Sequence, residues 1–197
     1  MAIMKSVLRT FIGAAAVTLS VVALCSCGSG NKKASASGIP VEEQETIFTA
    51  INDFLSNKIA PDYREGEVTI PCYTIVGKDE SNPDDIRVWG DYWVYNYDIA
   101  GDTLKTVSGG SHPGLMHIKK TGDKYEVTLF DQVEDGSSYL PTAKEIFGER
   151  FEDFQKISSD DKERDRVRTE AISGYVKSKG LNVKMYKDFG WDPVTIQ

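Results

Sequence analysis

Two histidines, His112 and His117, stand five residues apart in the run SGGSHPGLMH, and the chain has no others. An imidazole with a carboxylate partner, here Asp102, Asp123 or Asp131, can act as a general base or ligate a metal. The setting argues against both roles. His112 precedes Pro113 and is expected in a Gly-rich loop, whereas His117 falls in a strand, and their spacing matches no zinc signature. Ser108, Ser111 and Ser137 lack the setting that exposes a nucleophilic serine, and SGGS lacks the lysine and following helix of a phosphate loop. No catalytic residue, metal or cofactor is therefore expected. His112, His117 and Asp131 remain the candidates that a small pocket enzyme would use.

A second group of side chains suits recognition. The stretch Ile86 to Ile99 is apolar or aromatic on both faces, with Trp89, Trp93, Tyr95 and Tyr97 on one and Val88, Gly90, Tyr92 and Val94 on the other. Two apolar faces imply a central strand covered on both sides, with Gly90 a candidate bulge. The aromatic row is the candidate ligand-binding lining, although packing is the commoner use of such rings. Cys72 lies on a face with Val68, Ile70 and Val76, which predicts a buried, inert thiol.

The elements that must position these residues are legible in the hydrophobic spacing. Ile47, Phe48, Ile51, Phe54, Leu55 and Ile59 form one helical stripe ended by Pro61. Glu67 to Val76 alternates, and Pro71 marks it as an edge strand or a bulge. Further hairpin strands follow, TLKTVSGG, GLMHIKK and YEVTLFDQ, in the last of which Tyr125, Val127, Leu129 and Val133 make the apolar row. Asp131 sits either at the end of the buried zone or with a partner. Thr142 and Glu145 fit a capping box, and Gly148 an end cap. A third helix spans Ser159 to Lys179, opened by Asp160 and Asp161, closed by Gly180, and charged in its first half through pairs such as Asp160 with Arg164. The apolar tail, with Phe189 and Trp191, is expected to dock as a last strand. The fold class is α+β: an N-terminal helix packed on a curved antiparallel β-sheet, followed by C-terminal helices. If the sheet curves around the first helix, the aromatic row becomes the lining of its concave side.

Charge and length narrow the function classes. The chain has room for one core. The first 26 residues hold Lys5 and Arg9 and no acid, so 23 basic residues less these two leave 21 against 30 acidic ones, a net charge of −9. Such a body repels nucleic acid and anionic lipid. The apolar run Phe11 to Leu24 reaches roughly 21 Å as a helix, short of a bilayer core of roughly 30 Å, and reads as a signal peptide.

The run Leu24, Cys25, Ser26 and Cys27, followed by Gly28, resembles the lipobox of bacterial lipoproteins. The resemblance implies cleavage before Cys27 and acylation of its sulfur and nitrogen, with Cys25 as an alternative acceptor and an ordinary secretory signal as the other reading. Residues 1–26 are then a leader, 27–39 the lipidated cysteine and a tether of roughly 18 Å, and 40–197 a single α+β domain. Lys32 and Lys33 stand where some Bacteroidota lipoproteins carry acidic surface-display signals, which favours the periplasmic face.

The run YEVTLFDQVEDGSSYLPTAKEIFG is similar to a pattern in exported domains of bacterial lipoproteins and sensor ectodomains. The order helix, edge strand, long hairpins and terminal helices resembles the cystatin-like and nuclear-transport-factor-like group, which holds both pocket enzymes and binding modules. Fold alone therefore assigns no activity. The expectation is a membrane-anchored lipoprotein that binds a protein or small-molecule ligand without chemistry, and no nucleic acid. The alternative is a hydrolase or isomerase using His112 or His117 with Asp131.

Overall fold

The computed structural model describes residues 41 to 196; the leader, the LCSC run with Cys27 and the tether lie outside the described residues. Helix α1 spans Val41–Phe54 and continues as a π turn, Leu55–Ile59, and a 3-10 turn, Ala60–Asp62. The change of winding has a packing consequence. Ile47, Ile51 and Leu55 follow at four-residue steps and Ala60 after five, so the wider turn keeps all four in one buried stripe. Pro61 falls in the first turn of the 3-10 segment, where its missing N–H is harmless.

Six strands follow: β1 Val68–Asp79, β2 Ile86–Ala100, β3 Thr103–Thr121, β4 Lys124–Gln132, β5 Met185–Lys187 and β6 Val194–Thr195. The sheet order is β1-β2-β3-β5-β6. Strand β4 pairs with the far end of β3, on the edge that β5 occupies at its start. Pro71 lies on the edge strand β1, as its chemistry requires. Because β5 runs parallel to β3, the sheet is mixed, not wholly antiparallel. Bulges at Val76, Val107 and Thr128 bend it. Gly90 pairs with Ile75 beside the first bulge, and its missing side chain makes room for the Tyr92 ring.

Two sequence expectations fail within the hairpins. The SGGSHPG segment is no loop, because β3 runs through it as one 19-residue strand. Its glycines serve close approach: a Cβ on Gly109 would lie 2.2 Å from the Val94 carbonyl oxygen, and one on Gly110 2.2 Å from the Tyr63 hydroxyl. Backbone pairing on β2 thus overrides the poor strand propensity of Gly and Pro. In β4 the bulge at Thr128 reverses the alternation, so Tyr125, Val127 and Phe130 face the core while Leu129 is 53% exposed.

Strand β2 is covered on both sides. Helix α1 packs on Val88, Tyr92, Val94, Met116 and Ile118. The other face carries α2 (Tyr139–Phe147), α3 (Phe151–Ser158) and α4 (Asp161–Lys179). There Trp89 packs with Val133, Ala143, Phe147 and Phe154, and Tyr95, Tyr97 and Leu104 pack with Ile172, Val176, Val183 and Tyr186. Helix α2 starts before Thr142, whose hydroxyl donates to the Ser138 carbonyl and accepts from the Glu134 N–H, so the capping box is not formed. Gly148 and Gly180 end their helices at φ 51° and 62°. The Asp160 carboxylate accepts from the Glu163 N–H at 3.1 Å, and Arg164 pairs with Asp161 instead. The tail docks through Val183 and Tyr186 but leaves Phe189 98% and Trp191 75% exposed.

Candidate functional site

The aromatic row faces α2, α3 and α4, not α1, so it does not line a concavity around the first helix. Its members divide by environment. Trp89 is buried, its indole donating to the Ile146 carbonyl at 2.9 Å and its face covered by the Arg150 guanidinium at 4.0 Å. Tyr97 is fully buried and accepts from Arg168 Nε at 2.9 Å. Both belong to the packing. Trp93 and Tyr95, their rings stacked within 9° of parallel, border a cleft instead.

The cleft is an open depression of about 460 Å³ between β2, the bulged stretch of β3, the first half of α4 and the turn after β5. Its wall includes Trp93, Tyr95, Arg164, Asp165, Arg168 and Phe189. Helix spacing meets strand spacing here: Arg164 and Arg168, one turn apart, lie over Trp93 and Tyr95, two residues apart, at 5.2 and 3.9 Å from the ring centres. Arg168 is 5% exposed. It donates to both Asp188 oxygens at 2.8 and 2.7 Å and to the Thr106 hydroxyl at 2.8 Å. The guanidinium, and then the Thr106 hydroxyl, hold the Asp188 carboxyl below the usual carboxylate range despite partial burial.

Beside the cleft, Asp91 is 6% exposed and accepts from the Ser111 hydroxyl at 3.0 Å. Burial pushes its carboxyl up, with Trp93, Ser111 and Arg164 each offsetting part of the rise. The Trp93 indole N–H is buried without a hydrogen bond of ordinary geometry. It is nonetheless near enough to soften the Asp91 shift. Cys72 is buried on the same side of the sheet, and burial pushes its thiol up to about 12, so no thiolate is available for chemistry near neutral pH.

The histidines stand elsewhere and apart. His112 pairs across the ladder with Tyr92 and so lies on the α1 face, with Nε2 2.8 Å from the Tyr63 hydroxyl and Nδ1 3.1 Å from Gln132. His117 pairs with Arg87 on the opposite face. Its Nδ1 meets Asp85 at 2.6 Å and its Nε2 meets Asp131 at 3.2 Å, so the pair that the alternative enzyme reading would use is in contact, at a half-exposed carboxylate. The two carboxylates bracket the ring from opposite nitrogens, so the three groups do not converge on one point. Among the described residues no cluster of His, Cys, Asp and Glu could hold a metal ion.

The chain matches no protein-family model, no curated protein and no solved structure, so the site is read from its own geometry. Of the aromatic row expected from the sequence, Trp93 and Tyr95 border this cleft, while Arg164, Arg168, Asp188 and Phe189, which also border it, were not among the sequence candidates. One signal was present: Arg164 and Arg168 fall eight and four residues before Ile172, on the stripe that α4 turns to the sheet. The charge run around them hid it.

Proposed function

We propose that this chain is a membrane-anchored lipoprotein of the periplasmic face, held through Cys27, whose α+β domain is a non-catalytic binding module with the α4 cleft as its ligand site. The observation that carries the binding reading is Phe189. A phenyl ring 98% exposed at the wall of a cleft contributes nothing to folding, whereas buried against a ligand it contributes about 2 kcal/mol. Three aromatic rings, Trp93, Tyr95 and Phe189, stand in this wall beside polar and charged side chains that can fix a ligand's orientation. The anchor rests on the LCSC run and the resemblance to the lipobox, and the body's acidity keeps it off anionic lipid.

Intact mass of the mature chain tests the anchor: the reading expects a triacylated Cys27 at the N-terminus and loss of acylation in Cys27→Ala. An unacylated mature chain beginning elsewhere would refute it. Melting temperature against a panel of metabolites and cell-wall fragments tests the module, with a ligand-dependent rise expected in the wild type and absent in Phe189→Ala.

A second reading, a hydrolase or isomerase of the nuclear-transport-factor-like type, is favoured by the contact of His117 Nε2 with Asp131 at 3.2 Å. Turnover of any panel compound that is abolished by His117→Gln would establish it.

A further inference from the structure

We propose that the α4 cleft binds a small zwitterion, an amino acid or short peptide, with its carboxylate on Arg164, its ammonium on Asp165 and an apolar side chain against Phe189. The inference rests on the reading of this cleft as the ligand site and adds the class of ligand. It follows from which polar groups the fold has already used. Arg168 and Asp188 are spent on each other, on Tyr97 and on Thr106. Arg164 is only partly spent. Its Nη2 donates to Asp161, a carboxylate 78% exposed, and its Nε and Nη1 make no hydrogen bond among the described residues. The Asp165 carboxylate likewise engages no side chain among the described residues, and both Arg164 and Asp165 border the cleft. A guanidinium with Nε and Nη1 still open, beside a carboxylate that no side chain engages, is the complement of a zwitterion.

The same wall disfavours other ligand classes. A polyanion such as a phosphate ester would meet Asp165 and Asp188 as well as the two arginines. A sugar ring needs an open aromatic plane, and those of Trp93 and Tyr95 are covered by Arg164 and Arg168. Phe189 alone offers one, and a single apolar side chain fills that place. The bulge at Val107 also leaves one peptide group of β3 outside the β2 ladder at the cleft wall, where a peptide backbone can pair with it.

The test uses the full chain in detergent, with the dipeptide alanyl-phenylalanine titrated by calorimetry while the Trp93 indole signal is followed by NMR. Expected are saturable binding, a shift at Trp93, and at least a tenfold loss of affinity for the C-terminal amide, for the N-acetyl derivative and in Arg164→Gln. In Asp165→Asn the dipeptide should weaken while the N-acetyl derivative loses nothing further. Asp165 is exposed and the Arg164 side chain is 30% exposed, and unchanged melting temperatures check that both variants fold. Undiminished dipeptide binding in Arg164→Gln overturns the proposal. Binding of N-acetylglucosamine or inorganic phosphate in place of the dipeptide, with a Trp93 shift, overturns the zwitterion and leaves the cleft as the ligand site. Absence of any Trp93 shift across dipeptide, sugar and phosphate overturns both.

Discussion

Arg168 keeps a full charge at 5% exposure because Tyr97, Thr106 and Asp188 take four of its hydrogen bonds. Removing one partner of such a pair leaves a buried charge uncompensated. Asp188 is itself 38% exposed, so the expected cost of Asp188→Asn is discounted for solvent screening to about 1–3 kcal/mol, read from urea unfolding at pH 7. The pH dependence has a definite sign. A folded-state value held below the ordinary carboxylate value contributes stability that is full above about pH 4 and lost as the pH falls through the lowered value. Asp188→Asn should therefore flatten the acid arm of the stability profile. Asp91 has the opposite sign, since burial raises its carboxyl. Its charged form opposes folding at neutral pH and the penalty vanishes below about pH 4. Asp91→Asn keeps an acceptor for Ser111 and should raise the melting temperature at pH 7, with no gain near pH 3. A gain of equal size at both values would contradict the assignment.

At the scale of elements, legibility followed the strength of periodicity. Helix α4 was readable at both ends because Asp160 caps it through a side chain and Gly180 closes it at positive φ. The row of β2 was readable because a strand covered on both faces must be apolar on both. What failed depended on partners in space. Strand β3 passes through SGGSHPG because β2 and Tyr63 press on its glycines, and Leu129 turns outward because one bulge shifts the phase. Arg168 reads locally as one more charge on a solvated helix, and only the docked tail brings Asp188 to it. The turn between β5 and β6 carries its own prediction. Phe189→Ser and Trp191→Ser should each change unfolding free energy by less than about 0.5 kcal/mol, since both rings are exposed. A loss of several kcal/mol in either would mean that the ring packs in the folded state.

For the whole molecule, the described residues form a sheet with helices on both faces, and none of their helices is long and apolar enough to cross a membrane. In the proposed account the lipid at Cys27 supplies attachment, the tether supplies clearance, and the cleft on the α4 face supplies recognition. The cleft and the His117 cluster share β3 but use different stretches of it, the cleft adding β2, α4 and the β5–β6 turn, the cluster adding β4 and the β1–β2 connection. One spectrum separates the two. The chain has three tryptophans, and Trp93 alone of them borders the cleft, while Trp89 is fixed to the Ile146 carbonyl. Indole N–H signals of the full chain, titrated with the metabolite and cell-wall panel, should show Trp93 moving in a saturable way while Trp89 and the His117 ring stay in place. Movement at His117 with a silent Trp93, or turnover of the compound that causes it, would contradict a non-catalytic module that binds through this cleft.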